Sequence, residues 1–212
     1  MKKFTDLKVL RLKKSNLKKN LYTVINLIKI ENNHSILSQL SKNLIIDYLK
    51  IASNSKNLFL FILKLKSKTI GYLLLAKDED SLIKDFSSIK QKIFIELLFR
   101  FKFYSLVNIF LAITKLDLIF LNKTNYYRKK IINLNLLAIS KNFQSKGFGG
   151  YFLTKSIKII HKNFYKFKYI TCEAPTKRAL KFYTKKEKFK FIGKKIRFPK
   201  NLYVLIKKFN EI

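Results

Sequence analysis

The sequence is poor in the residues that most often hold metals, form disulfides or interrupt helices. Its 212 residues include one cysteine, two histidines, two prolines, five glycines and no tryptophan. A single cysteine, Cys172, excludes an internal disulfide, and His34 and His161 do not form a Cys/His cluster of zinc spacing. We therefore expect neither a structural nor a catalytic metal.

Acidic residues are also scarce, with 12 Asp and Glu against 46 Lys and Arg and a formal net charge of +34. Such an excess ordinarily suggests a nucleic-acid partner, because cationic patches release counterions from a phosphate backbone. Here the lysines are spread over the whole length, and zinc-finger, RNP-type and basic-zipper patterns are absent. We attribute the charge to a composition bias, and expect it to attract anionic ligands but not nucleic acid.

The length and composition favour one folded domain over residues 1–212, since 48% of the residues are hydrophobic and can supply a full core. The basic N-terminus, Met1 to Asp6, is followed by neither an apolar stretch nor a small-residue cleavage site of the secretory kind. We therefore expect a cytoplasmic protein.

Three of the five glycines fall in one short segment, at Gly147, Gly149 and Gly150. The segment follows an apolar run, residues 131–139, and precedes a periodic stretch, residues 151–160, which predicts a strand, a turn and a helix. The first N–H groups of such a helix lack intrahelical acceptors and lie at its positive end, which favours an anion. A pyrophosphate matches several convergent donors, although an ordinary tight turn is the simpler alternative.

Two well-known phosphate motifs do not fit this segment. The dinucleotide-binding G-x-G-x-x-G and the P-loop G-x-x-x-x-G-K-[ST] both require other spacings. The pattern that fits is Q/R-x-x-G-x-G/A, beginning at Gln144. On this motif the chain resembles the GNAT superfamily of N-acetyltransferases, in which the pattern binds acyl-CoA.

Two further segments extend the resemblance, which covers residues 131–209 well and the N-terminal half in outline. Leu137, Ala138 and Ile139 are similar to the central strand of the family, whose backbone meets the pantetheine arm. Residues 179–183 are similar to its later A-x-x-F-Y motif, on a helix after a strand at residues 168–172. The chain departs from the family at Thr176, where Asn is usual. It departs again after Tyr183, where Lys188-Phe189 stands one position later than the usual Gly-Phe, so this helix is expected to be longer by a residue or to end differently.

The resemblance implies a mixed α/β fold: a mostly antiparallel, twisted sheet flanked by helices, with a helical insertion before the central strand. The N-terminal half agrees with this order. We predict a strand at residues 7–12, a helix capped by Ser15 and ending near Ile30, a helix at residues 36–52, and an antiparallel hairpin of residues 58–65 and 69–76. Gly71 marks a bulge or a close approach in that hairpin. The acidic triplet Asp78-Glu79-Asp80 indicates a solvated loop or a helix N-terminus, with recognition of an amine substrate as the alternative.

Residues 81–130 contain no glycine or proline and are predicted to form the helical insertion. Ile89, Ile93, Leu97 and Phe101 recur every four residues and predict one apolar stripe. Residues 103–121 are long enough to span a bilayer, but Lys115 and Asp117 would be costly there. We favour a helix that covers the core or the substrate cleft, and peripheral contact with a membrane surface stays open.

The implied activity, transfer of an acetyl group from acetyl-CoA to an amine, requires an oxyanion donor, an acid and a base. A backbone N–H between Leu137 and Ile139 can polarise the thioester carbonyl. By its match to the family, Tyr183 is the candidate acid for the departing thiolate, and a core aromatic is the alternative. Glu173 is the nearest acidic candidate for the base, although a structural salt bridge or a chain of waters explains it equally well.

The remaining assignments follow from the same resemblance and from position in the chain. His161 is expected to cap the helix that follows the turn, and Cys172 to be an inert core thiol. The favoured acceptor is a nucleotide-linked amino sugar of surface polysaccharide synthesis, followed by a protein or small amine. The rival function is a noncatalytic basic protein that binds membrane or nucleic acid. The residues expected to contact acetyl-CoA are Leu137, Ala138, Ile139, Gln144, Ser145, Lys146, Gly147, Phe148, Gly149, Gly150 and Thr176.

Overall fold

The computed structural model of the protein describes residues 6–32, 35–114, 116 and 130–209. The helices are α1 (Lys14–Glu31), α2 (Ile36–Gln39), α3 (Lys42–Asn54), α4 (Glu79–Asp85), α5 (Ser87–Phe99), α6 (Phe103–Thr114), α7 (Phe148–Asn163) and α8 (Lys177–Lys181). The strands are β1 (Leu7–Arg11), β2 (Leu58–Leu65), β3 (Lys68–Ala76), β4 (Ile131–Ile139), β5 (Tyr169–Ala174), β6 (Lys190–Lys195) and β7 (Leu202–Lys208).

The seven strands form one sheet in the order β1-β2-β3-β4-β5-β7-β6. The pairs β1/β2, β2/β3, β5/β7 and β6/β7 are antiparallel. These observations confirm the predicted mixed α/β fold with a mostly antiparallel sheet. By contacts the chain divides into two compact units, Met1–Ile89 with Leu134–Lys166, and Lys90–Asn133 with Phe167–Ile212.

The core of the first unit is built on the hairpin of β2 and β3. Every residue from Leu58 to Leu63 is buried, as is every residue from Thr69 to Ala76, so both faces of the hairpin are covered. Helix α1 packs against β3 and α3, α3 packs against β2, and α7 contacts β1 and β2. The buried side of α1 carries Leu17, Val24 and Ile28, which recur at helical spacing and explain why this segment forms an amphipathic helix.

Gly71 makes the close approach predicted for it and lies next to a bulge. The β2/β3 register shifts between Leu63, which lies opposite Gly71, and Lys64. A Cβ atom at Gly71 would lie 2.6 Å from Ile139 Cδ1 and 2.8 Å from the Ala138 carbonyl oxygen. Only a residue without a side chain therefore allows the backbone of β4 to come this close.

The second unit is held together by β7, which pairs with β5 on one side and β6 on the other. Asn108 of α6 donates to the Phe198 carbonyl and accepts from the Phe198 N–H, both at 2.8 Å. The first residues of β4 belong to this unit, where the Thr171 hydroxyl donates to Asn133 Oδ1. Side-chain bonds to backbone thus anchor α6 to the connection between β6 and β7.

Two predictions for the N-terminal helices are wrong. Helix α1 begins at Lys14, and its start is stabilised by Asn16 Oδ1, which accepts from the Lys13 N–H at 2.8 Å, so Ser15 is not the cap. The helix predicted over residues 36–52 is two helices, because Leu40 is extended and Ser41 starts α3 by accepting from the Leu44 N–H. Both departures are local capping effects that hydrophobic spacing does not report.

The described part of the insertion, residues 81–114, is helical as predicted, and Asp78 caps α4 by accepting from the Ser81 N–H at 2.6 Å. Ile89 and Leu97 are buried, as the predicted stripe requires. Phe101 departs from it, with 92% of its surface exposed, because α5 ends at Phe99 and Phe101 has a left-handed φ of 51°.

None of the helices in the described ranges is long and apolar enough to cross a membrane. The predicted charges at Lys115 and Asp117, like His34, lie outside the described residues.

Candidate functional site

The turn between β4 and α7 has the conformation that its glycines predict. After β4 ends, a 3-10 turn covers Lys141–Phe143, and Ser145 and Gly147 then adopt left-handed φ values of 61° and 85°. The Tyr151 N–H donates to the Gly147 carbonyl at 3.2 Å, which closes the first turn of α7. The amides of Gly149 and Gly150 precede this bond and have no acceptor within the helix. The turn therefore presents N–H groups at the positive end of a helix of 16 residues.

An acidic side chain from α1 holds this turn in shape. Glu31, the last residue of α1, accepts from the Lys141 N–H at 2.8 Å and from Gln144 Nε2 at 3.0 Å. Gln144 Nε2 also donates to the Ile139 carbonyl at 2.8 Å. Both amide hydrogens of Gln144 therefore bond to the protein, which makes its observed role one of support for the turn.

Sequence reasoning missed Glu31, because 113 residues separate it from Gln144 and no local motif includes it. A chain with 12 acidic residues in total nevertheless offers few carboxylates for such a contact. The scarcity of acidic residues is thus the one signal in the sequence that could have drawn attention to Glu31.

Lys146 is exposed and supplies a positive charge inside the turn. Its Nζ donates to the Asn142 carbonyl at 2.8 Å and lies 5.7 Å from the centre of the Phe143 ring. Ser145 is also exposed, whereas Phe148 is half-buried. The predicted residues from Gln144 to Gly150 thus form one cationic turn. Their contacts with a ligand stay a prediction.

The middle of β4 is open to solvent, although β4 is the fourth of the seven strands. Asn135 is exposed and Leu136 and Leu137 are half-buried, while Ala138 and Ile139 are buried. A central strand normally has both faces and both edges covered. This partly exposed stretch gives a ligand access to extended backbone, and the buried residues Ala138 and Ile139 connect it to the glycine turn.

The peptide groups of β4 can be assigned to its two sides. The Ala138 carbonyl faces Gly71 of β3, and the Ser140 N–H donates to the Ile70 carbonyl of β3 at 2.8 Å. Because the peptide groups of successive residues point to opposite sides of a strand, those of Leu137 and Ile139 point away from β3. Of the three predicted positions, Leu137 and Ile139 therefore have their N–H groups on the side of β4 away from β3, and their contact with a ligand stays a prediction.

Thr176 acts as a helix cap in the second unit. Its hydroxyl accepts from the Ala179 N–H at 3.1 Å at the start of α8. This is the usual contribution of threonine at an N-cap and explains the residue without a ligand. Its predicted contact with the cofactor stays a prediction.

The helix after Thr176 ends in a π-helical turn, residues Phe182–Lys186. The Glu187 N–H donates to the Phe182 carbonyl at 3.1 Å, and the Phe189 N–H donates to the Tyr183 carbonyl at 2.9 Å. Lys188, between these donors, has a left-handed φ of 60°. A π turn accommodates one residue more than an α turn, so it absorbs the extra residue predicted from the late Lys188-Phe189 pair. The prediction of an altered helix end is confirmed.

Tyr183 is buried, with 7% of its surface exposed, between the rings of Phe182 and Phe189. The ring centres lie 5.0 and 5.5 Å away in edge-on geometry. Burial, with smaller effects from Cys172 and Glu187, raises the pKa of Tyr183 well above its ordinary value. The phenol therefore keeps its proton at any physiological pH. Burial and a raised pKa make the phenol a weaker acid, so this environment favours the core aromatic, and the role of proton donor stays a prediction.

Glu173 forms the ion pair that was one of its predicted roles. Its carboxylate lies 2.8 Å from Lys195 Nζ and 3.9 Å from Arg197 Nη2. Burial raises the pKa of Glu173, but the two charges and the hydrogen bond from Lys195 more than offset this, so the pKa lies below its ordinary value. A carboxylate of lowered pKa is a weak base, and the geometry favours a structural role.

Cys172 and His161 are placed as predicted. Cys172 is buried, and burial raises the pKa of its thiol well above the ordinary value, so it is an inert core residue. His161 lies in the last turn of α7. Burial and Lys166 lower its pKa, which weakens the expected interaction of a cation with the helix dipole. Across the described ranges, no three His, Cys, Asp or Glu side chains are grouped so that they could hold a metal ion.

A separate basic groove of about 520 Å³ lies at the other end of α7, beside Asn163 and Phe164. With α7 16 residues long, it is about 24 Å from the glycine turn. Arg11 is stacked over the rings of Phe59 and Phe164 at 4.9 and 4.3 Å. The ionisable side chains that line the groove are all cationic: Arg11, Lys13, Lys14, Lys56 and Lys77.

Comparison with known proteins identifies the fold. No protein-family model and no curated protein sequence matches the chain. Among solved structures it is similar to a GNAT-family acetyltransferase from Streptococcus pneumoniae (TM-score 0.55, 13% identity, covering 95% of this chain and 98% of that one). It is also similar to a mosquito arylalkylamine N-acetyltransferase-like protein (TM-score 0.57, 11% identity, 95% and 99%). A third similar structure is an aminoglycoside acetyltransferase from an uncultured soil metagenomic sample, in complex with sisomicin (TM-score 0.50, 16% identity, 85% and 86%). The protein therefore has the fold of the GNAT acetyltransferases.

Proposed function

We propose that the protein is a cytoplasmic N-acetyltransferase that moves an acetyl group from acetyl-CoA to a primary amine. The observation that carries the proposal is the open middle of β4 leading into a cationic, glycine-rich helix N-terminus. That arrangement suits a long ligand with an extended amide-containing arm and a pyrophosphate. Acetyl-CoA has both parts, and the fold agrees with this use.

The residues of the turn would bind the pyrophosphate. The amides from Gly147 to Gly150 would donate to its oxygens, and Lys146 and Ser145 would add a charge and a hydroxyl. Glu31 and Gln144 would keep the turn in this shape before the ligand arrives. Preformed donors make binding tighter, because less conformational freedom is lost.

The reaction would proceed by direct attack, without a covalent intermediate on the protein. The amine nitrogen forms a bond to the thioester carbon, and the N–H of Leu137 or Ile139 stabilises the negative oxygen. The C–S bond then breaks, and Tyr183 donates its proton to the departing thiolate. Since Glu173 is held by Lys195 and Arg197, water is the better acceptor for the proton of the amine.

The favoured acceptor is an amino sugar, such as a nucleotide-linked amino sugar of surface polysaccharide synthesis. The similar structures include an aminoglycoside acetyltransferase, whose name describes amino-sugar chemistry. Incubation with radiolabelled acetyl-CoA and a set of amino sugars should label at least one sugar. Label on peptides or small amines alone would replace this acceptor with the alternative one.

The function is tested first by calorimetric titration of acetyl-CoA in buffer containing about 0.3 M salt, where weak surface attraction is largely screened. ATP serves as the control, because it carries phosphates without a pantetheine arm. Binding of one acetyl-CoA per chain, at least tenfold tighter than ATP, is the expected result. Equal weak binding of both ligands would show that the turn is a generic anion site.

Replacing Glu31 is expected to weaken acetyl-CoA binding although Glu31 does not touch the ligand. Glu31→Ala removes both acceptors from the turn and should raise the Kd about tenfold, the loss of roughly one hydrogen-bonded contact. Glu31→Gln keeps one acceptor oxygen for the Lys141 N–H and should lose less. Calorimetry of both variants measures the difference. Identical Kd values for wild type and Glu31→Ala would show that Glu31 does not support the turn for acetyl-CoA binding.

Tyr183→Phe is expected to lower kcat by at least about a hundredfold and to leave the Kd for acetyl-CoA unchanged, because it removes only the proton donor. The raised pKa of Tyr183 adds a pH criterion. Because this pKa lies well above its ordinary value, no loss of wild-type kcat in the neutral pH range should come from deprotonation of Tyr183. Steady-state rates from pH 6 to 10 check both points. A variant with full kcat would leave Tyr183 as a core aromatic.

The second candidate function is noncatalytic binding of a polyanion, which the basic groove around Arg11 favours. It predicts affinity that collapses between 0.1 and 0.5 M salt and does not distinguish CoA from other polyanions. Arg11→Met keeps the apolar stem between Phe59 and Phe164 while removing the charge. If that variant loses anion binding and Gly149→Val does not, this function replaces the enzymatic one.

A further inference from the structure

Helix α6 buries two polar side chains and exposes three aromatic ones. Ser105 and Asn108 are buried, with exposures of 4% and 6%, whereas Phe103, Tyr104 and Phe110 are 71%, 57% and 60% exposed. The two hydrogen bonds between Asn108 and the backbone of Phe198 fix this orientation. A surface helix normally has the opposite arrangement, with apolar residues toward the core. We therefore expect the exposed side of α6 to contact an apolar partner.

The turn that leads from α5 into α6 continues the same surface. Phe99 and Phe101 are 78% and 92% exposed, and the exposed cations Arg100 and Lys102 alternate with them. The Phe101 N–H donates to Leu98 and the Lys102 N–H donates to Leu97, both at 2.9 Å, so the backbone of the turn is fixed. An aromatic residue with positive φ is unusual, and here it directs a ring away from the protein.

We define the aromatic tip as Phe99, Phe101, Phe103 and Tyr104. An aromatic side chain has roughly 150–250 Å² of surface, so four that are mostly exposed give an apolar patch of several hundred Å². Patches of this size on a protein surface usually mark an interaction site. The neighbouring side of α5 enlarges it through Phe94, Ile95 and Leu98, which are 48–52% exposed.

The charge of the chain decides which partner fits the aromatic tip. A second copy would bring another net charge of +34 and be repelled. A protein that binds a nucleic acid places cationic side chains along the phosphate backbone, but residues 103–114 contain no charged side chain. An anionic bilayer satisfies both parts of the surface, because its headgroups attract Lys102 and its interface accepts phenylalanine and tyrosine rings. The charge of Arg100 is already paired with Glu96 at 3.1 Å.

We propose that the aromatic tip and the outer side of α6 dock the protein on an anionic lipid surface. Helix α6 has 12 residues and is about 18 Å long, which is too short to cross a hydrocarbon core of about 30 Å. It therefore lies in the plane of the interface. This placement would bring the enzyme to lipid-linked or membrane-associated substrates, and the docking itself does not depend on the proposed catalysis.

The experiment is flotation of the full-length chain with lipid vesicles. One set is pure phosphatidylcholine, and the other contains about one quarter phosphatidylglycerol, each at 0.1 and 0.5 M salt. The test variant is the triple substitution Phe99→Ser, Phe101→Ser and Phe103→Ser. The matched control replaces three exposed apolar residues elsewhere, Tyr22→Ser, Ile30→Ser and Phe191→Ser, which are 65%, 69% and 50% exposed.

Wild type and control should float with anionic vesicles and not with pure phosphatidylcholine. The triple variant should bind at least about a hundredfold more weakly, since each buried phenylalanine contributes about a factor of ten. Circular dichroism of the triple variant should match wild type, because the replaced rings are exposed.

Three results would overturn the proposal. In the first, wild type does not float with anionic vesicles at 0.1 M salt. In the second, the triple variant floats like wild type, which would show that charge alone, and not the aromatic rings, attracts the protein to the vesicles. In the third, sedimentation without lipid shows a wild-type dimer that the triple variant abolishes, which would make a second copy the partner.

Discussion

Gly149→Val should raise the Kd for acetyl-CoA by more than about a hundredfold and change the free energy of unfolding by less than about 1 kcal/mol. Gly149 lies in the first turn of α7, where its amide has no acceptor within the helix. A branched side chain there would stand between the turn and a pyrophosphate, so several hydrogen bonds would be lost together. The fold should tolerate the change, because valine is no worse than glycine in a helix.

A matched variant separates this effect from a general change in α7. Thr154→Val places the same side chain five residues along the helix, about 7.5 Å farther from its start. It should bind acetyl-CoA as wild type does. Calorimetry and urea unfolding of the three proteins provide both numbers. If Gly149→Val binds within threefold of wild type, the glycine turn does not hold the pyrophosphate.

Gly71→Ala is expected to destabilise the protein by about 3 kcal/mol, because the added methyl group has no space. It would lie 2.6 Å from Ile139 Cδ1 and 2.8 Å from the Ala138 carbonyl oxygen. The side chain of Ile139 can move, but the carbonyl belongs to the backbone of β4 and cannot move alone. Urea unfolding followed by circular dichroism measures the loss.

The two clashes at Gly71 can be separated by a double substitution. Ile139→Val alone removes Cδ1 and should cost about 1 kcal/mol. If the backbone approach is the main constraint, Gly71→Ala combined with Ile139→Val should still be clearly less stable than Ile139→Val. Full rescue in the double variant would show that only the isoleucine side chain demands glycine at this position.

Much of the fold could be predicted because local patterns determine it. Strand β4 was predicted with its observed bounds, since the apolar run is limited by charged and polar residues at both ends. The β2/β3 hairpin followed from two apolar runs around a short polar turn. The late Lys188-Phe189 pair correctly indicated a changed helix end, and the structure identifies the change as a π turn.

The features that could not be predicted depend on capping, on contacts between residues distant in sequence, or on which side of a helix faces the protein. The break at Leu40 was missed because the apolar spacing continues through it, while the capping hydroxyl of Ser41 decides where α3 starts. The contact of Glu31 with Gln144 joins segments that share no motif. The outward phenylalanines of α6 were missed because hydrophobicity alone does not tell which side of a helix is buried. The two hydrogen bonds of Asn108 settle that question.

The close approach at Gly71 links the anion turn to a distant part of the chain. Ala138 and Ile139 rest against Gly71, and the Ile139 carbonyl receives the Gln144 amide that shapes the turn. The β2/β3 hairpin thus sets the position of the backbone that is proposed to bind the ligand. A random-mutagenesis screen for altered cofactor affinity should therefore recover substitutions in β3 that never touch the ligand.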